Sequence, residues 1–283
     1  MLKRIITAIF LLIYAIGLIT LGVWYPIAVD VLIYSFMLLG LYEILHSFKV
    51  SGYNVFGIVP FLTGISILPM AYFFNLPGIM VSFCVGIMLL MIQFIFTKTR
   101  SLNDLFASIF ALIYPTLFMG LAFYLTRRNH AVYIASFAIL VPILTDAFAY
   151  FVGRAIKGPK LCPTISPKKT ISGAIGGVIG GTLGAVIIFL IFDYFAVTRD
   201  FIIIPRLALD FRLNVAAYVL IGFFGSIICQ LGDLFASRIK RSIGIKDFGK
   251  IFPGHGGCLD RLDSIMFMLV FLSIIFSFTV WKV

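Results

Sequence analysis

Charge is what this sequence has least of. Only 12% of its 283 residues are Asp, Glu, Lys or Arg, about half the share usual in a soluble domain, and its mean hydropathy is +1.14. A water-soluble fold cannot hide that much apolar surface. Cysteine is also sparse: there are four, with no CxxC and no Cys/His pairing, which excludes a disulfide framework and a zinc site of the usual spacing. Cys84 and Cys229 fall within apolar runs, Cys162 and Cys258 in polar segments, and all four read as reduced and structural. Of the three histidines, His46 and His130 stand at the ends of apolar runs, and only His255 has suggestive neighbours. No GxxxxGK[ST] segment and no Rossmann fingerprint on a βαβ unit occurs, so both soluble nucleotide-binding folds are excluded.

Hydrophobic residues make up 62% of the chain and arrive in runs of about twenty, the length of a helix that crosses a hydrocarbon core of about 30 Å. The runs are too long and too uniformly apolar for the alternating strands of a barrel. The expected fold is therefore an all-α, polytopic transmembrane helix bundle. Spans are expected near 5–23, 27–46, 55–74, 78–97, 104–126, 131–153, 173–196, 213–236 and 264–281, about nine in all. Local breakers separate them: Pro26, Ser51–Gly52, Asn75–Leu76–Pro77 and the polar patch from Lys98 to Asn103. Met1 to Arg4 followed by an apolar run resembles a secretory signal, but the run leads into a second span and reads as the first transmembrane helix.

Basic residues concentrate on the cytoplasmic side of membrane proteins. An N-in, C-out arrangement places 16 of the 22 Lys and Arg residues inside and leaves Arg127, Arg128, Arg199, Arg206, Arg212 and Lys282 outside. The net charge of +11 then reflects a cytoplasmic rim facing anionic lipid, and no nucleic-acid partner is needed. Two long loops, 154–172 and 237–261, hold 11 of the 16 inner cations. Both also carry Gly and Pro residues, among them Gly153, Gly158, Pro159, Gly249, Pro253, Gly256 and Gly257. Glycines allow close approach of backbone amides, and amides beside basic side chains suit phosphate.

A carboxylate within a span costs about 2.5–3.5 kcal/mol and marks function by default. Asp146, Asp233, Asp260 and Asp263 all fall near the inner ends of their spans. Asp260 and Asp263 are three apart at a helix start and project from one face. With Asp233 from the neighbouring helix they suggest a carboxylate cage for Mg²⁺. Asp30, Asp193, Asp200 and Asp210 are expected to be hydrated at or beyond the outer interface, and Glu43 is left unassigned. In the seventh span Gly173, Gly177 and Gly181, with Gly176, Gly180 and Gly184, recur every four residues, a helix-packing stripe that also permits a homodimer.

The segment Ser237–Asp263, S-R-I-K-R-S-I-G-I-K-D-F-G-K-I-F-P-G-H-G-G-C-L-D-R-L-D, closely resembles the signature of the phosphatidate cytidylyltransferases, the CDP-diacylglycerol synthases. It matches at Ser237, Lys240, Arg241, Lys246, Asp247, Gly249, Pro253, His255, Gly256, Gly257, Asp260, Arg261 and Asp263. Cys258 stands where the family usually has an aliphatic residue. The stretch from Asp146 to Gly177, with A-Y-F-V-G-R and S-P-K-K-T-I-S-G, resembles the family's earlier cytoplasmic loop, with Ser172 where Glu or Gln is common.

The resemblance implies Mg²⁺-dependent transfer of CMP from CTP to phosphatidic acid, releasing pyrophosphate, in phospholipid biosynthesis at the cytoplasmic face of a membrane, the inner membrane in a bacterial cell. Asp233, Asp260 and Asp263 would hold one or two cations with Asp146 nearby, and Lys240 would act with them. Ser237, Lys240, Arg241, Lys246, His255, Gly256, Gly257 and Arg261, with Ser166, Lys168, Lys169 and Thr170 of the earlier loop, would bind the substrates. Residues 131–283 would then form the catalytic region, with loops 154–172 and 237–263, and residues 1–130 a set of N-terminal helices. The aspartate pattern of the CDP-alcohol phosphotransferases is absent, and the acids lie toward one face, unlike the midplane acids of an ion-coupled transporter.

Overall fold

A computed structural model of the chain describes residues 13–14, 16–22, 24–25, 27–126, 131–194, 211–252 and 256–278. Most of the first expected span, the outer segment holding Asp200, Arg206 and Asp210, and His255 lie outside the described residues. The fold is a helical membrane bundle: among the described residues six helices are long and apolar enough to cross a bilayer by length and composition. By internal contacts it divides into two compact units, Met1–Arg128 with Lys240–Leu262, and Asn129–Ile239 with Asp263–Val283.

The first unit contains α1 (Ile27–Val50), α2 (Ile58–Phe96) and α3 (Leu102–Leu125). At 39 residues, a straight α2 would measure about 58 Å, nearly twice a hydrocarbon core. It turns back instead at Asn75, whose backbone (φ 53, ψ −140) leaves the helical region, two residues before Pro77. The two arms then lie side by side. A Cβ on Gly86 would collide with Thr63, and Phe56 and Leu90 share one core cluster with Leu105 and Leu112 of α3. So the Asn75–Leu76–Pro77 break acts as a hairpin between two antiparallel arms. The α3 helix starts at a capping box, Ser101 with Asp104, and loosens to a π-helical stretch at Leu112–Leu117 around Pro115.

The second unit contains α4 (Ala131–Ile156), a hairpin of β1 (Lys160–Cys162) and β2 (Ser166–Thr170), and α5 (Ile171–Phe189) with its π-helical extension Leu190–Tyr194. It also takes most of α6 (Phe211–Ser242) and α7 (Leu259–Phe278). The glycine stripe of α5 lets helix backbones touch. A Cβ on Gly173 would meet the Ala149 carbonyl oxygen at 2.8 Å, and one on Gly180 or Gly181 would collide with Leu144 and Phe148 or with Thr145 and Ser226. The stripe is thus packed against α4 on one side and α6 on the other, which is the contact that small residues four apart permit.

Asp30, expected to be hydrated, is not: it is 3% exposed and accepts a 2.5 Å hydrogen bond from Thr126 Oγ1. Asp193 is half-buried and accepts from Asn214 Nδ2 at 2.8 Å and from the Tyr218 hydroxyl at 2.9 Å, and Tyr133 in turn donates to Tyr218. At Asp30 a donor from a neighbouring helix replaces the water that an outer-interface position suggested.

Candidate functional site

In the second unit the chain leaves α4 through Lys157 (φ 60) and Gly158 (φ 104), a left-handed turn that glycine accommodates readily. The hairpin β1–β2 follows and delivers Thr170 as the N-cap of α5, its Oγ1 accepting from Gly173 N–H at 3.1 Å. Ser172 donates from its hydroxyl to the Lys157 carbonyl and fastens the hairpin to the end of α4. Beneath the hairpin is a cavity of about 370 Å³, lined by Asp146, Tyr150, Arg154, Lys168, Lys169, Thr170, Gln230 and Asp233, among others. Five candidate site residues singled out from sequence, Asp146, Lys168, Lys169, Thr170 and Asp233, therefore share one concave surface. Lys169 Nζ is ion-paired with Asp233 Oδ2, and both side chains keep more than a quarter of their surface exposed, 28% and 27%. Ser237 Oγ, a turn further along α6, lies 3.5 Å from the other Asp233 oxygen. Gln230, which sequence reading did not select, donates to the Ala174 carbonyl at 3.2 Å and ties α6 to α5 at the cavity wall.

The cavity pairs hard oxygen donors with cations. Mg²⁺ is commonly held by one or two carboxylates, with water and substrate phosphate completing its shell. Asp146 and Asp233 on one open wall fit that donor set. Asp263, in the same unit, is buried and accepts from Ser264 N–H at 2.8 Å. Among the described residues no group of three or more His, Cys, Asp or Glu side chains is arranged to hold a metal ion.

In the first unit the signature segment begins at the end of α6, which a glycine terminates. Gly244 (φ 74) donates to the Arg241 carbonyl, and Ile245 donates to the Lys240 carbonyl at 2.9 Å, the paired bonds of a Schellman ending. Lys240 is buried. Its Nζ lies 2.6 Å from Asp260 Oδ1, with the side chains only 11% and 7% exposed. Asp260 Oδ2 accepts from Phe248 N–H at 2.9 Å and Gly257 N–H at 3.0 Å. Both Asp260 oxygens are therefore engaged by the protein, and the Gly257 amide expected to face a triphosphate is engaged with them. Arg241, Lys246 and Arg261 stay exposed, and Gly256 (φ 85) makes the turn before α7. Cys258 is buried, and burial with the nearby Glu43 and Asp260 carboxylates pushes its thiol well above the usual range, which keeps it protonated and inert.

A sequence model of the "Cytidylyltransferase family" matches residues 2–279, nearly the whole chain. The chain belongs to the cytidylyltransferase family. Among curated relatives, the phosphatidate cytidylyltransferase of Staphylococcus haemolyticus is 41% identical over 153 residues, 54% of this chain and 52% of that protein. The proteins of the same name from Staphylococcus epidermidis and Staphylococcus aureus are 39% and 37% identical over 156 and 157 residues. Each match spans about half the length of the curated relative. For a cytidylyltransferase, the relevant feature of the second unit is a cavity that brings two lysines and two carboxylates to one concave surface.

Proposed function

We propose that this protein transfers CMP from CTP to phosphatidic acid, giving CDP-diacylglycerol and pyrophosphate. The observation that carries the reading is the open cavity in which Asp146, Asp233, Lys168 and Lys169 meet at the N-cap of α5. A soluble triphosphate and a lipid phosphate must be brought together against their mutual repulsion, and preorganised cations lower that barrier most where water is thin. Lys168 and Lys169 neutralise phosphate oxygens. The exposed Lys169–Asp233 pair is a device for exchange: Lys169 turns to the arriving phosphate and leaves the carboxylate open. Asp146 and Asp233 would hold Mg²⁺, which supplies Lewis-acid stabilisation of charge on the phosphates when bound. Asp263 is a third carboxylate of the same unit for that role. Ser166 at the start of β2 and Ser237 on α6 add hydroxyl donors, and the exposed Arg241, Lys246 and Arg261 are nucleotide contacts. No covalent nucleophile is required, because an oxygen of the phosphatidate phosphate attacks the α-phosphorus of CTP directly and pyrophosphate leaves.

The same reading gives nine crossings with the N-terminus inside and the C-terminus outside, and it sets the chemistry at the cytoplasmic face. Residues 131–283 form the catalytic region in it, joined by the signature loop. A homodimer draws no support from the glycine stripe, which is packed within the chain. The test is pyrophosphate release by detergent-purified protein supplied with CTP, with and without phosphatidic acid and Mg²⁺. Release only when all three are present is the expected result; release that ignores phosphatidic acid would refute the assignment.

A further inference from the structure

The signature loop is tied to a helix that no motif marks. Along one face of α1, at spacings of four, three, four and four, stand Phe36, Gly40, Glu43, Ser47 and Ser51, the last just beyond the helix end. Each meets the segment 243–259. Ser51 Oγ donates to the Ile243 carbonyl at 2.8 Å and Ser47 Oγ to the Phe248 carbonyl at 2.7 Å. Glu43 Oε2 accepts from Leu259 N–H, the first amide of α7, at 2.8 Å. A Cβ on Gly40 would stand 3.3 Å from Leu259 Cδ1, and the Cys258 thiol points at the Phe36 carbonyl at 3.7 Å. Glu43 is the centre of this stripe. It is 1% exposed, and its Oε1 has no hydrogen-bond partner among the described residues. Two signature glycines close over it. A Cβ on Gly249 would collide with Oε1, and one on Gly257 would lie 2.5 Å from Oε2.

A buried carboxylate oxygen with no partner among the described residues is costly, and its retention calls for an explanation. Here the Glu43 carboxylate caps a helix N-terminus, where the macrodipole favours an acceptor, and it sets how near Gly249 and Gly257 can come. We propose that Glu43 is a positioning residue for the nucleotide-binding loop: a latch on α1 that fixes the loop carrying Lys246 between the Lys240 end of α6 and the Asp260 start of α7. The glycines at 249 and 257 are there to make room for its carboxylate. The kinetic consequence rests on the reading of this loop as the CTP contact; the structural one does not.

The experiment uses full-length purified protein and three readouts: trypsin cleavage after the exposed Lys246 and Lys250, KM for CTP against KM for phosphatidic acid, and thermal unfolding. Glu43→Ala is expected to speed loop cleavage about tenfold and to raise KM for CTP about tenfold while KM for phosphatidic acid stays within about twofold. Glu43→Gln keeps an acceptor for Leu259 N–H and restores most of the protection. Gly249→Ala alone repeats the Glu43→Ala phenotype. The double variant is no worse than either single change, because the shortened side chain leaves space for the new methyl. Thr126→Val, which removes a buried hydrogen bond at the other end of α1, lowers the unfolding temperature and leaves loop cleavage alone. The latch is overturned by additive effects in the double variant, by unchanged cleavage in Glu43→Ala, or by equal cleavage in Thr126→Val. If Glu43→Ala does not fold, Ser47→Ala and Gly249→Ala must show the same selective loosening. If the unmutated protein has no CTP turnover, the functional reading falls while cleavage and the double variant still decide the latch.

Discussion

Two sets of carboxylates, one in each unit, are used in opposite ways. In the first, Asp30, Glu43, Asp104 and Asp260 are each screened from solvent and hold the chain: Asp30 takes a threonine hydroxyl, Glu43 the start of α7, Asp104 the Ser101 cap and the Asn54 amide, and Asp260 two loop amides and a lysine. In the second, Asp146 and Asp233 line an open cavity with two lysines. Residue type and membrane depth do not separate these groups. What separates them is enclosure: the first set is buried among donors of its own unit, and the second lines an open cavity. The Lys240–Asp260 and Lys169–Asp233 pairs make the contrast in miniature, the first enclosed and fixed, the second exposed and weakly held.

The strongest way to break that contrast is at Asp233. Asp233→Asn is expected to cut CDP-diacylglycerol formation at saturating Mg²⁺ by about 100-fold or more, with the protein still folded. Near-normal turnover would remove Asp233 from the chemistry and leave the cavity without a role. The converse change belongs to the first unit. Asp104→Ala removes acceptors from the Ser101 cap and the Asn54 amide and should cost about 1–2 kcal/mol of stability. The kcat of the surviving fraction should be unaltered; a chemical denaturation series beside steady-state rates checks both. The smallest effect distinguishes two thiols. Maleimide at neutral pH should modify the half-buried Cys162 on β1 and spare Cys258, whose buried thiol stays protonated; mass spectrometry of the labelled peptides reads the ratio.

What could be read from sequence alone follows the range of the interaction. The break at Asn75–Leu76–Pro77 was legible because a proline and a residue tolerant of positive φ punctuate a helix locally. The α5 stripe was legible because glycines four apart expose backbone, whatever lies opposite. The acids and lysines of the cavity were legible as unusual residues, and the two loops as unusual segments. The pairings were not. Glu43 meets Leu259 across 216 positions, and helical periodicity gives the face of α1 but not what covers it. The same holds for Asp193, whose donors come from α6, and for Asp260, which looked free only because the amides that bind it belong to a loop. The β1–β2 hairpin was not legible because its strands are only three and five residues long and β2 contains Pro167.

The length of α6 sets a ruler against the bilayer. Its 32 residues extend about 48 Å, and the twenty residues 213–232, which contain no charged side chain, match a hydrocarbon core of about 30 Å. The seven residues that follow within the second unit, Asp233 to Ile239 with Arg238 among them, form a mast of about 10 Å beyond that apolar anchor. The elevation and the compass bearing of Ser237 and Arg238 relative to Asp233 are therefore fixed by residue count. One alanine inserted between Asp233 and Ser237 would shift Ser237 by about 1.5 Å along the axis and swing it by about 100°, so this stretch of α6 tolerates substitution better than a change of length.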